Sequence, residues 1–252
     1  MYPDGRIVRA TAERFTRSVA LRYEQIYGPG YQGPASEAVF ERLAGCMEMS
    51  PGVRVLDVGS GLGGDAIRLA RRYGAIVTGL DAAPDMTRIC LERHGSTESV
   101  GQVDFVTGDV RTSKLLAPGA FNVVWMRDCG MYLPRTDKPN VWQRLHATLR
   151  CGGRLLITDY CKGFGTDGLG FSEQSASWHL LTVPEYVEEL ESAGFSDVLA
   201  EDRSADLLDS MREGRDQIAR SGESDLLHWW NQKIASCERG GLKWPVLTAT
   251  RN

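Results

Sequence analysis

The sequence is short of most features that would announce a specialised protein. Its six cysteines (46, 90, 129, 151, 161 and 237) contain no CxxC pair, and its four histidines contain no HExxH. A disulfide framework or a metal site is therefore not expected, and a reducing cytoplasm is the default compartment. There is no basic excess either: 29 Lys+Arg against 33 Asp+Glu leaves a net charge of −4. That argues against a nucleic-acid-coating protein and against a polybasic membrane-surface binder. No run approaches the ~18 apolar residues that a spanning helix requires. The opening stretch MYPDGRIVRATAERF lacks the apolar core of a signal peptide. Repeats and low-complexity blocks are absent. What remains is 252 residues, 42% hydrophobic and 25% charged, enough to bury a sizeable core as a single domain.

The pattern along the chain is strand-helix alternation. Residues 6–27 read as a helix, and GPGYQGP (28–34) breaks it with three glycines and two prolines. Ser36 is placed to cap the next helix. Apolar strands follow at 53–59, 75–81, 103–109, 121–128 and 153–160. Helices are expected between them at 65–74, 84–95 and 141–153, the last with a Gly-Gly stop. A further helix at 182–195 and closing strands near 196–204 and 243–251 complete the series. Near-continuous apolar strands alternating with helices predict an α/β fold, a Rossmann-like, mostly parallel sheet covered on both faces. Residues 1–34, 161–181 and 203–240 read as a helical lid rather than a second domain.

The segment VLDVGSGLGG (55–64) is the strongest local motif. Its glycines, Gly59 and Gly61 foremost, let the backbone turn tightly between strand and helix and approach a ligand closely. Asp57 sits inside the strand, where a carboxylate suits an ammonium and repels a pyrophosphate. Asp81 ends the second strand about 20 residues on, beside Ala82, where it can take both ribose hydroxyls. Asp109 ends the third strand in position to accept from an adenine amino group, with Val110 beside the ring. An ammonium, a ribose and an adenine at successive strand ends describe S-adenosylmethionine (SAM), and the sequence here resembles the class I SAM-dependent methyltransferases. That resemblance implies a seven-stranded sheet with its last strand antiparallel.

RYEQIYGPGYQGP (22–34), VVWMRDCGMYL (123–133), LLITDYC (155–161) and LLTVPEYVEELESAGF (180–195) extend the likeness to the phosphoethanolamine N-methyltransferases of single-domain type. The resemblance implies that Tyr23 and the 28–34 loop close over SAM and acceptor, with Arg127 and Asp128 after the fourth strand. It also implies that Asp128 binds an amine, and that Tyr160 and Lys233 contact a phosphate. The sequence departs from that family at the chemistry. Phe15 stands where a catalytic tyrosine is expected, Tyr132 where its histidine partner is expected, and the phosphate-clamping arginine falls near Ala176. One lost charge-assisted contact costs about 1.5–3 kcal/mol, or roughly one to two decades of affinity. In exchange, Tyr23, Tyr27, Tyr132, Tyr160, Trp178, Trp229 and Trp230 fall in segments that would line the acceptor pocket.

These substitutions point to a small, flat, aromatic acceptor such as an indole, methylated at nitrogen or carbon. Some microbial enzymes that methylate indole carbon resemble the same family. Asp128 is the candidate for orienting and taking the proton, with Tyr23 and Tyr132 as relays and His179 as a further base. Tyr27, Tyr160, Trp178, Trp230 and Lys233 would bind the acceptor. A small-molecule partner and a monomer or homodimer are expected. Three readings compete: a phosphoethanolamine or small-amine N-methyltransferase, a non-catalytic SAM-binding module, and a nucleotide dehydrogenase.

Overall fold

A computed structural model describes residues 14–34, 36–95, 103–163 and 178–252. Seven strands form one sheet: β1 (Arg54–Val58), β2 (Ile76–Asp81), β3 (Val103–Thr107), β4 (Phe121–Arg127), β5 (Leu149–Thr158), β7 (Ser196–Asp202) and β9 (Pro245–Thr250). The order is β3-β2-β1-β4-β5-β9-β7, with β9 antiparallel to both its neighbours. Two short strands, β6 (Cys161–Lys162) and β8 (Leu242–Lys243), pair separately. The helices are α1 (Arg17–Tyr27), α2 (Glu37–Gly45), α3 (Gly64–Tyr73), α4 (Pro84–His94), α5 (Lys138–Thr148), α6 (Val183–Ser192), α7 (Ser204–Ser221) and α8 (Ser224–Glu238).

Period-two alternation sends the strand residues into two cores. Val55, Val123, Trp125 and Leu156 pack on one side with α2, α3, α7 and α8. Leu56, Val58, Val124, Met126 and Ile157 pack on the other with α5 and α6. Both faces are thus apolar, which is why these strands read as unbroken hydrophobic runs. Burial of Val55, Leu56, Val124, Trp125, Met126, Leu155 and Leu156 is complete. At roughly 1.5–3 kcal/mol for each large aliphatic side chain, these central strands anchor everything that projects from their ends. The chain reverses its order across β1 and β4, and the crevice outside the carboxyl ends of strands at such a switch point is where open α/β sheets bind ligands.

Local expectations mostly hold, with two corrections. The helix expected over 6–27 is interrupted: Arg14 is helical, Phe15 and Thr16 break the run, and α1 resumes at Arg17. Thr16 is extended (φ −75°, ψ 160°), so Phe15 leaves the helix axis. The helix expected over 141–153 ends at Thr148, and LRCGG opens β5 instead. The register jumps from Phe121↔Leu149 to Val123↔Arg154, so the Gly-Gly pair forms a bulge. Gly152 donates to the Arg251 carbonyl and Arg251 donates back to Gly153, fixing that bulge against the end of β9. Ser36 caps α2 as expected, its hydroxyl accepting from the Val39 N–H at 3.2 Å.

Candidate active site

The register brings the strand-end carboxylates to one edge. Asp57 pairs with Gly79 across β1–β2, and Asp81 pairs with Thr107 across β2–β3, two residues before Asp109. A cavity of about 480 Å³ runs along this edge, with Asp57, Gly59, Gly61, Asp81, Ala82, Asp109 and Val110 on its wall.

Asp57 is 4% exposed, and among the described residues its carboxylate has no hydrogen-bond or ion-pair partner. Burial, reinforced by Asp65 and Asp81, holds its pKa well above the usual carboxylate range. An unpartnered carboxylate facing a cavity is fitted to receive a cationic ligand group. Asp81 accepts at 2.8 Å from the Gly61 N–H on one oxygen and from the Ala83 N–H on the other. Its oxygens keep their remaining lone pairs for a diol. Asp109 is more heavily engaged than the sequence indicates: Arg111 caps it through its backbone N–H and grips both oxygens with its guanidinium, which also pairs with Asp137 at 2.9 Å.

The glycine loop spends its own donors. Gly59 and Ser60 donate to the Leu80 carbonyl, Gly61 to Asp81, Gly63 to Ser60 and Gly64 to Gly30. A pyrophosphate needs those N–H groups free, so the loop does not fit a dinucleotide and the dehydrogenase reading falls. Gly59 (φ +72°) faces the Cys129 thiol so closely that a Cβ would lie 2.6 Å from sulfur, which explains why glycine is required there.

Segment 28–34 lies directly on this loop. Gly64 donates to the Gly30 carbonyl at 3.1 Å, and Gly30 donates to Glu24 at 2.6 Å, which a bidentate Arg93 holds in turn. Arg127, read from sequence as a cofactor contact, lines the cavity but spends its terminal nitrogens elsewhere. One donates to Asp65 at 2.8 Å and the other to the Pro34 carbonyl, while Trp125 Nε1 donates to the same Asp65 oxygen.

The acceptor half begins at Asp128, whose φ of +51° is uncommon for a non-glycine residue. Its Oδ1 accepts from Trp244 Nε1 at 2.7 Å and from the Thr158 hydroxyl at 3.0 Å. Oδ2 is left toward segment 28–34, where a Cβ on Gly33 would lie 3.1 Å away. Burial raises the Asp128 pKa, against the pull of Arg127 and of the two donors. The same cavity is lined by Tyr23, Tyr27, Tyr132, Tyr160, Trp178 and Trp229, with Tyr27 and Tyr160 near the Asp128 carboxylate. Tyr160 stacks on Trp178 with centroids 5.0 Å apart, and Phe15 meets Tyr132 edge-on at 5.1 Å. Burial lifts the Tyr132 phenol to about 12 and raises Tyr23, Tyr27 and Tyr160 as well. These hydroxyls are therefore neutral hydrogen-bonding groups near pH 7 and not bases. Lys233 is 4% exposed and lies 3.8 Å from the Trp230 ring centroid, and burial with Arg14 nearby brings its ammonium down to about 7. Arg14 itself lies over the Tyr132 ring at 5.0 Å.

Two sequence expectations are corrected. Trp230 does not line the cavity. Helical spacing turns Leu226, Trp229 and Lys233 toward it, while Trp230 faces α7, fully buried, and donates to the Met211 carbonyl at 2.7 Å. His179 is not a wall residue either. Its backbone N–H donates to the Met131 carbonyl at 2.7 Å, and the extended segment then points Trp178 inward and His179 outward, exposed. The position of Ala176 lies outside the described residues, as do residues 1–13 of the expected lid. Arg14, Gln32 and Leu226 line the cavity and were not singled out as site residues by sequence, while Trp229, read from sequence as falling in the acceptor segments, lines it too. Gln32 lies within the glycine- and proline-rich 28–34 segment, the signal that could have found it, whereas Arg14 carries no motif. Among the described residues no cluster of metal-ligating side chains occurs, and no helix is long and apolar enough to cross a membrane.

Residues 55–153 match the family model described as a methyltransferase domain. The chain is 31% identical over 244 residues to phosphoethanolamine N-methyltransferase 1 of Zea mays, covering 92% of this chain and 48% of that protein. It is 26% identical over 245 residues to the Plasmodium falciparum phosphoethanolamine N-methyltransferase, covering 91% and 90% respectively. A Haemonchus contortus phosphoethanolamine N-methyltransferase 2, solved with S-adenosylhomocysteine and phosphomonomethylethanolamine, superposes with a TM-score of 0.86 at 24% identity over 97% of this chain and 59% of that one. The chain has the class I methyltransferase fold, and its residues 55–153 carry the sequence of a methyltransferase domain. It spans about half the length of the plant relatives it matches. A geranyl diphosphate C-methyltransferase from Streptomyces coelicolor shares the methyltransferase fold at a TM-score of 0.82 and 18% identity over the full length of both chains. One scaffold thus serves both nitrogen and carbon acceptors in its solved neighbours.

Proposed function

We propose that this methyltransferase acts on a nitrogen or carbon nucleophile of a small aromatic, indole-like molecule. The observation that carries the reading is the acceptor chamber: aromatic side chains surround one carboxylate, Asp128, whose second oxygen meets no donor among the described residues. SAM, when bound, supplies an electrophilic methyl carbon. Asp57 would hold its ammonium, Asp81 its ribose and the Asp109–Val110 pair its adenine. The remaining work belongs to the chain. Tyr160, Trp178 and Trp229 stack and align a flat acceptor, which is the alignment that displacement at carbon requires. Asp128, clamped by Trp244 and Thr158, orients an N–H with Oδ2 and receives the proton that methylation releases. Loop 28–34 keeps water from the reacting atoms. Phe15 against Tyr132 brings no acid or base to the position where the resembling family has a tyrosine and a histidine.

A second reading, phosphoethanolamine or another small phosphorylated amine, is favoured by Lys233 and Arg14, two cations near the same chamber, and by the names of the relatives. The two are separated by incubating the chain with labelled SAM and a panel of indoles, cyclic dipeptides and phosphoethanolamine. Label is expected in an indole-bearing acceptor; efficient turnover of phosphoethanolamine would sink the aromatic reading.

A further inference from the structure

A SAM zwitterion presents a carboxylate beside its ammonium, and Asp57 can serve only the ammonium. Five glycine-loop N–H groups are consumed within the protein, at Gly59, Ser60, Gly61, Gly63 and Gly64. The terminal nitrogens of Arg127 are likewise committed, to Asp65 and Pro34. Several donors on the cavity wall are left over; the Tyr31 hydroxyl, one of them, lies beside Asp65, and two others belong to Gln32 and Arg127. The amide nitrogen of Gln32 is buried without a hydrogen-bond partner, and so is Nε of Arg127. Gln32 lines the cavity, and its amide oxygen lies where a Cβ on Gly61 would be 3.0 Å away, at the amino-acid end of the glycine loop. A buried amide donor left unpaired is costly, and a ligand carboxylate would relieve it.

We infer that Gln32, carried on the lid, is a cofactor-binding residue that donates to the methionine carboxylate, with Arg127 Nε beside it. The inference rests on SAM being the cofactor. Asp57 and Gln32 then read the two charges of the amino acid from opposite sides, one from the sheet and one from the lid. Only a ligand carrying the amino acid would engage the lid through its own atoms.

The test is calorimetry with two probes, S-adenosylhomocysteine and 5′-methylthioadenosine, which lacks the amino-acid group. Gln32→Ala is expected to weaken S-adenosylhomocysteine about tenfold or more, the range for a hydrogen bond to a charged group. Methylthioadenosine offers the Gln32 amide no carboxylate, so its affinity should stay within about twofold of the parent value. Gln32→Glu, which sets a like charge against the carboxylate, should weaken S-adenosylhomocysteine further than alanine does. Unchanged affinity in Gln32→Ala, or an equal loss for both probes, would overturn the inference while leaving the cofactor assignment standing. If the unsubstituted chain binds neither probe, the cofactor assignment itself falls, and the inference with it.

Discussion

The two halves of the cavity are built in opposite ways. The cofactor half comes from consecutive strand ends, so Asp57, Asp81 and Asp109 follow one another in sequence as they do along the sheet edge. It is polar: backbone N–H donors fix Asp81, Arg111 holds Asp109, and Asp57 stands unpartnered among the described residues. The acceptor half is gathered from residues 14–34, 128–133, 160, 178 and 226–233, and it is mostly aromatic. Strand-end geometry is common to the fold and holds an invariant ligand. A wall of side chains on separate segments can be exchanged piece by piece, which is how one scaffold changes its acceptor.

That contrast can be broken by substitution. The largest effect is expected at Asp128: Asp128→Asn should lower kcat by about 10²–10⁴, the usual worth of a positioned general base. The affinity for S-adenosylhomocysteine should stay unchanged. A comparable loss of cofactor affinity would mean that the halves are not separable, and unchanged turnover would favour a binding module or another base.

Asp57→Asn should do the converse. Cofactor affinity is expected to fall by about 2–5 kcal/mol, the range for removing one partner of a desolvated charge pair. Without ligand the variant should nonetheless melt higher near pH 8. Burial raises the Asp57 pKa in the folded chain above its unfolded value. The parent therefore loses stability as pH rises through that folded value, and asparagine does not. Melting curves at pH 5 and pH 8 with and without S-adenosylhomocysteine check both signs.

The smallest effect sharpens the acceptor assignment. Lys233 should shed its proton as pH rises through about 7. For a phosphate-bearing acceptor kcat/KM should then decline above that pH, because the cation is lost. For a neutral aromatic acceptor it should rise as Asp128 ionises and then level. Lys233→Met should abolish any such decline.

Legibility followed the same division. The parallel sheet and the three carboxylates could be read from apolar runs and glycine spacing, because each depends on neighbours in sequence, whereas the antiparallel β9 was implied only by the family resemblance. The engagement of Asp109 by Arg111, only two residues away, was missed because a strand-end aspartate reads the same whether it faces a ligand or caps a turn. Trp230 and His179 were misplaced for a different reason. Adjacent residues on a helix lie about 100° apart, and neighbours on an extended segment point oppositely. The family resemblance puts Trp229-Trp230 and Trp178-His179 in acceptor segments, but only the backbone decides which member turns inward. The roles of Thr158 and Trp244 were invisible, since they reach Asp128 from a strand end 30 residues away and from a residue 116 positions on.

The contact between Gly30 and Gly64 has a kinetic meaning. Segment 28–34 is held on the glycine loop by a protein-protein hydrogen bond, backed by the Glu24–Arg93 pair and by Arg127 on Pro34. None of these contacts involves the donor molecule. If segment 28–34 closes the cavity as proposed, escape of the spent nucleoside waits for bonds that its own chemistry does nothing to weaken. The pace of successive catalytic cycles would then be governed by how often this flap lets go, a frequency that Glu24 and Arg93 can alter without ever meeting either reactant.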